Sequence, residues 1–156
     1  MNNTRTPVAP ALVLSRTYTA SRKRLFDAWT KPELAMKFLG PDDVTVTDVR
    51  MDVRTGGSYA ITMLMPDGER WNVGGTYREV RAPERLVMTW RWEEDRPEDE
   101  HDTLLTLEFK DLDGGTELVL THEQFASEDS RDGHQKGWTA IMERLAALPY
   151  VEQEQK

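Results

Sequence analysis

Residues 133–148, GHQKGWTAIMERLAAL, decide the fold of this chain. His134, Trp138, Ile141, Met142, Leu145 and Leu148 recur there at steps of three and four, so they share one face of a helix. The spacing predicts that helix over residues 131–148. An apolar helical face needs a surface to cover, and the sequence upstream supplies a sheet.

Residues 44–123 change period from helical to alternating. Val44 and Val46 fall on one parity, and Val49, Met51 and Val53 on the other, which predicts a bulge near Asp48. Residues 58–65 put Tyr59, Ile61, Met63 and Met65 on one face, and Pro66-Asp67-Gly68-Glu69 turns the chain. Trp71, Val73 and Tyr77 share the next face, where Gly74-Gly75 marks a bend or a close approach. Leu86, Met88, Trp90 and Trp92 follow, then Leu105, Leu107 and Phe109. Asp113-Gly114-Gly115 leads into a last strand with Leu118, Leu120 and His122 inward. Sequential strands with short turns predict an antiparallel meander, dry on one side. Ahead of it, residues 12–19 read as a strand. Residues 21–29 read as a short helix with Ser21 at its N-cap, and a second short helix begins after Thr30 as cap and Pro32 in its first turn, ending near Gly40-Pro41.

The predicted class is therefore α+β: a helix-grip fold in which a curved antiparallel sheet of six to seven strands wraps a long C-terminal helix, with two short helices after the first strand. Residues 1–11 are read as a flexible N-terminal segment, 12–150 as a single domain and 151–156 as a flexible polar tail. A chain of 156 residues can bury a substantial core. It has no cysteine, which excludes disulfides, thiolate metal sites and a cysteine nucleophile. A net charge of -8 argues against nucleic acid. Residues 93–102, EEDRPEDEHD, supply most of that excess and read as a solvated loop before an interaction surface. With neither a signal-peptide pattern nor an apolar run of membrane length, the expectation is a cytoplasmic protein without a membrane partner.

Several short motifs then acquire meaning together. Ala28-Trp29-Thr30-Lys31-Pro32-Glu33-Leu34 precedes Asp52-Val53-Arg54-Thr55-Gly56-Gly57-Ser58-Tyr59, and Gly74-Gly75-Thr76-Tyr77-Arg78-Glu79-Val80 precedes Pro83-Glu84-Arg85-Leu86-Val87-Met88-Thr89-Trp90. Gly115-Thr116-Glu117-Leu118, Leu120-Thr121-His122-Glu123 and Gly137-Trp138 complete the series. In order and spacing these resemble the START-like (SRPBCC, polyketide-cyclase-like) superfamily. The branch they resemble is the domain related to the C-terminal part of the activator of a heat-shock-protein ATPase. The likeness spans residues 12–148. One departure is Phe38-Leu39, where many relatives carry tryptophan: the bulk is partly kept and the indole N–H is lost. The resemblance implies a cavity between helix and sheet, and either ligand binding, cyclase-like chemistry or a chaperone partner.

A helix laid on a curved sheet leaves a gap, and Met and Trp suit adaptable apolar sites. The candidate ligand-binding residues are Phe38, Tyr59, Met63, Trp71, Tyr77, Trp90, His122, His134, Trp138 and Met142, with ordinary core packing as the alternative for each. His122, His134 and Tyr77 are the candidate catalytic groups, because paired imidazoles can move protons near neutral pH. The favoured alternative is that each is structural and hydrogen-bonded to backbone. Arg16 shares parity with Leu14 and Tyr18 and is a candidate inward anion partner. His122-Glu123-Gln124-Phe125-Ala126 lacks the second histidine of a zinc-protease motif, and the glycine doublets do not open a helix. No metal or cofactor is expected.

The leading expectation is binding of a small apolar ligand (aromatic, lipid or acyl), in a stress-related setting and with weak catalysis or none. The alternatives are a cyclase, dehydratase or hydrolase using the pocket histidines and tyrosine, and a co-chaperone-like interaction module. The state would be a monomer or homodimer. Any opening is expected near the His134 end of the helix.

Overall fold

The alternating middle of the chain folds into a seven-stranded antiparallel sheet in the computed structural model, which describes residues 9–41, 43–93 and 102–152. Its strands are β1 (Leu12–Tyr18), β2 (Thr45–Met51), β3 (Ser58–Leu64), β4 (Arg70–Arg81), β5 (Arg85–Trp92), β6 (Thr103–Leu112) and β7 (Gly115–Glu123), in the spatial order β1-β7-β6-β5-β4-β3-β2. Strands β2 to β7 form the expected meander. The first strand returns to the far side of β7, pairing Leu12 with His122 and Tyr18 with Thr116. The helix-grip architecture is as the sequence predicts.

Two irregularities curl the sheet. Register shifts between Val46 and Asp48, at the predicted bulge, and β4 slips against β5 between Tyr77 and Glu79. At Gly74 and Gly75 neighbouring backbone comes very close: a β-carbon would lie 2.6 Å from the Tyr59 carbonyl oxygen and 2.1 Å from that of Thr89. The strand can pass there only without side chains.

Helix α1 (Arg22–Thr30) starts where Ser21 Oγ accepts the Arg24 amide at 3.2 Å. Helix α2 (Pro32–Ala35) follows, but Thr30 does not cap it. Thr30 is the last residue of α1 and its hydroxyl donates to the Phe26 carbonyl at 2.8 Å; Lys31 holds the cap position with no side-chain bond, and Pro32 opens the turn. The long helix α3 (Glu128–Ala147) begins three residues before the predicted start, because Ser127 Oγ accepts the Ser130 amide and so caps it. The first turn precedes the apolar stripe, so hydrophobic spacing alone missed it.

Helix α3 lies in the concave face. Tyr18 donates to the Met142 carbonyl at 2.9 Å, and Trp138, Ile141, Met142 and Leu145 are buried against the sheet. A short α4 (Pro149–Glu152) follows, and Val151, placed in the tail by the sequence reading, is buried there. The proposed flexible ends fall largely on residues 1–8 and 153–156, and the acidic loop on 94–101; these lie outside the described residues. Among the described residues no helix is long and apolar enough to cross a membrane.

Candidate functional site

Between the N-terminal half of α3 and the β3–β5 side of the sheet lies a cavity of about 390 Å³. That volume is within the usual range for small-molecule sites. Its buried floor is Met63, Trp90, Trp138 and Ile141; half-buried Trp71, Trp92, Met65 and Val44 form the walls. His134, Gly133, Gly137 and Asp129 belong to the helical side, with Asp129 exposed at the rim. The indoles continue one into the next. Trp71 meets Trp92 at 5.8 Å and 82°, Trp92 meets Trp90 at 6.0 Å and 87°, and Trp90 meets Trp138 at 4.9 Å and 55°. The first two pairs are edge-to-face, matching the quadrupole preference of aromatic rings, and the third is tilted.

Sheet periodicity and helix periodicity bring the two histidines together, with ring centres 5.1 Å apart and Phe125 against both. His122, on β7, is fully buried. Its Nδ1 accepts the Trp138 indole N–H at 3.0 Å, and its Nε2 lies 2.7 Å from Thr103 Oγ1. The Thr103 hydroxyl donates its only proton to the Trp90 carbonyl at 2.7 Å, so Nε2 must carry the hydrogen that Thr103 accepts. The ring is thereby assigned as the neutral Nε2–H tautomer. A proton on Nδ1 would face the indole N–H, donor against donor. Burial, and then the neighbouring His134, hold the His122 pKa well below the ordinary histidine value.

His134 repeats the pattern one helical turn before Trp138. Its Nδ1 donates to the Ser130 carbonyl at 2.8 Å, and its Nε2 accepts the Trp92 indole N–H at 3.0 Å. Both ring nitrogens of both histidines are engaged, each by an indole on one side. The catalytic trio is not assembled: His134 borders the cavity, His122 lies behind it, and Tyr77 is buried off the wall. Burial raises the Tyr77 pKa, with Asp52 adding to the effect.

Of the predicted ligand-binding residues, Met63, Trp71, Trp90, His134 and Trp138 do line the cavity. Phe38, Tyr59, Tyr77, His122 and Met142 do not line it; all five are buried side chains. Phe38 packs edge-on against Trp29 at 5.0 Å, while Tyr59 donates to the Thr89 carbonyl and stacks toward Tyr77 at 5.4 Å. Tyr59, Tyr77 and His122 have the inward strand parity the sequence predicts, yet they do not border the cavity. Arg16 does not reach inward: it is exposed, with its guanidinium 5.8 Å from the Tyr18 ring centre.

The sequence reading missed Trp92 and Met65, whose inward parity was visible, and Gly133 and Gly137. Two glycines four apart inside a helix are a legible signal, since each weakens it relative to alanine. At Gly133 a β-carbon would meet nothing within 4 Å, and at Gly137 it would meet only Pro41 Cγ at 3.9 Å. Gly133→Ala should therefore stabilise the fold by ~0.5–1 kcal/mol in urea unfolding. A loss of stability would show that this backbone position needs glycine. Among the described residues no group of three or more His, Asp or Glu could hold a metal ion.

Residues 19–149 match the family described as activator of Hsp90 ATPase homolog 1-like protein. Among solved structures, protein CV1439 from Chromobacterium violaceum is similar at 26% identity and a TM-score of 0.80, covering 91% of this chain and 96% of that one. The AHSA1 protein from Silicibacter pomeroyi is similar at 23% identity and a TM-score of 0.78, covering 88% and 96%. Protein NE0264 from Nitrosomonas europaea shares the fold at 23% identity and a TM-score of 0.77, covering 92% and 95%. No curated protein matches the chain.

Proposed function

This chain belongs to the activator of Hsp90 ATPase homolog 1-like family, and on that premise we propose that it binds a small apolar ligand between α3 and the sheet. The observation that carries the proposal is the 390 Å³ cavity walled by Trp71, Trp90, Trp92, Trp138, Met63 and Met65. A packed interior rarely leaves voids larger than a water molecule. Here four large side chains surround space they could have filled. The two helix glycines support the same reading, because they trade helix stability for room on that wall.

The histidines favour binding over proton transfer. A general base needs a free lone pair within reach of substrate, and each imidazole lone pair here receives an indole N–H. They act as polar fasteners that orient Trp92 and Trp138.

Thermal-shift and native mass-spectrometric screening against lipids, acyl chains and aromatic compounds tests the proposal. A ligand at a hundredfold its Kd should stabilise the protein by ~2.7 kcal/mol. Gly137→Leu, which places an isobutyl group between α3 and Pro41, should abolish that stabilisation while the protein stays folded. If no compound binds the wild-type protein, the cavity reading fails. The co-chaperone-like reading suggested by the family description would then move ahead, with stimulation of a chaperone ATPase as its assay.

A further inference from the structure

Resting on the cavity reading above, we propose that the ligand is an organic cation, a substituted ammonium joined to a compact apolar group. Few polar atoms are left for a ligand: Trp90 Nε1 has no partner among the described residues but is itself buried. Trp71 Nε1 donates to Glu69 at 3.1 Å, Trp92 Nε1 to His134 and Trp138 Nε1 to His122. With those N–H groups committed elsewhere, the three indoles offer a ligand chiefly their ring surfaces. His134 likewise has both nitrogens engaged.

Among the described residues the cavity lining includes no lysine or arginine, and its one full charge is the Asp129 carboxylate at the rim. An anionic headgroup, such as the carboxylate of a free acyl chain, would meet that charge. It would also find the first turn of α3 already carrying Glu128 and Asp129, where a helix N-terminus otherwise attracts anions. A cation meets the opposite conditions. Indole faces attract cations through the ring quadrupole, and Trp does so more strongly than Tyr or Phe. The near-right angles among Trp71, Trp92 and Trp90 set these rings as adjoining walls. Asp129 supplies the counter-charge at the entrance, and the net charge of -8 favours approach of a cation.

A matched pair of probes separates charge from shape: benzyltrimethylammonium and its uncharged carbon isostere, neopentylbenzene, with 3-phenylpropionate as the anionic arm. Binding is read from the tryptophan indole resonances in 1H–15N NMR spectra and by calorimetry. The cation should bind about tenfold more tightly than the isostere, a difference within the cation–π range. The anion should bind more weakly than either. Asp129→Asn should weaken the cation several-fold and leave the isostere unchanged. Trp71→Leu, which keeps an apolar wall and removes a π face, should cost the cation more than the isostere. Equal or tighter binding of the isostere or the anion overturns the charge assignment and leaves the apolar cavity standing. Absence of binding by all three probes, together with no hit in the broader screen, overturns both.

Discussion

Trp138→Ala should lower the unfolding free energy by roughly 3–5 kcal/mol, the cost of removing a buried tryptophan from a packed interior. The indole is 2% exposed and sits between Trp90, at 4.9 Å, and Trp29, at 6.0 Å. Cavity residue though it is, most of its surface is structural. The sharper comparison uses phenylalanine. Trp138→Phe leaves His122 Nδ1 as a buried acceptor without its donor, which costs ~1–3 kcal/mol beyond the change in volume. Trp90 Nε1, by contrast, is buried with no hydrogen-bond partner among the described residues, so Trp90→Phe breaks no such bond. Urea unfolding of the two phenylalanine variants should place Trp138→Phe clearly below Trp90→Phe. Equal losses would mean that the indole–imidazole bond contributes nothing to the fold.

Acidification supplies the second large effect. In the unfolded chain His122 takes up a proton near its ordinary pKa of about 6.5. In the folded chain burial and His134 depress its pKa well below that, so the native state resists the proton. Between those two values the unfolded state binds more protons, and unfolding free energy falls as pH falls. The contribution is therefore fully present above pH ~6.5 and lost below it, until the folded pKa is reached. For this one histidine the slope approaches ~1.4 kcal/mol per pH unit. Urea titrations between pH 7.5 and 5.0 should show this decline. Histidine 15N spectra of the folded protein should show the neutral Nε2–H form of His122 at pH 6, where an ordinary histidine is largely protonated. A flat stability profile, or an imidazolium signal from folded His122 at pH 6, would contradict the fastened arrangement.

Much of the fold was legible because it depends on local periodicity. Alternation assigned the inward faces of β3, β5 and β7, and helical spacing assigned Trp138, Ile141, Met142 and Leu145 to the buried face of α3. Local chemistry had the same reach at Ser21, whose hydroxyl caps α1, and at Asp48, where a switch of parity marked the bulge. It misled at Thr30, because a threonine can cap the following helix or bond back to its own, and here it bonds back to the Phe26 carbonyl.

The candidate site was only half legible for a related reason. Tyr59 and Met63 share a strand and a parity, yet Met63 floors the cavity and Tyr59 is packed against Tyr77 and Trp90. Likewise His122 and His134 both point inward, while only His134 reaches the cavity. Parity says which side of a sheet a residue occupies. It does not say how far along that side the covering helix leaves a gap.

The C-terminal helix itself marks the division. Its amphipathic stripe and the alternating strands determined, from sequence alone, that it would lie across an antiparallel sheet. The sequence reading also expected any opening near its His134 end; only the tertiary structure decided which inward side chains border that gap and which are packed away from it. The curl of the sheet, set by β2 and β4, and the crossing of the helix are sums over many residues distant in sequence. The missing β-carbons of Gly133 and Gly137 widen the space left between them.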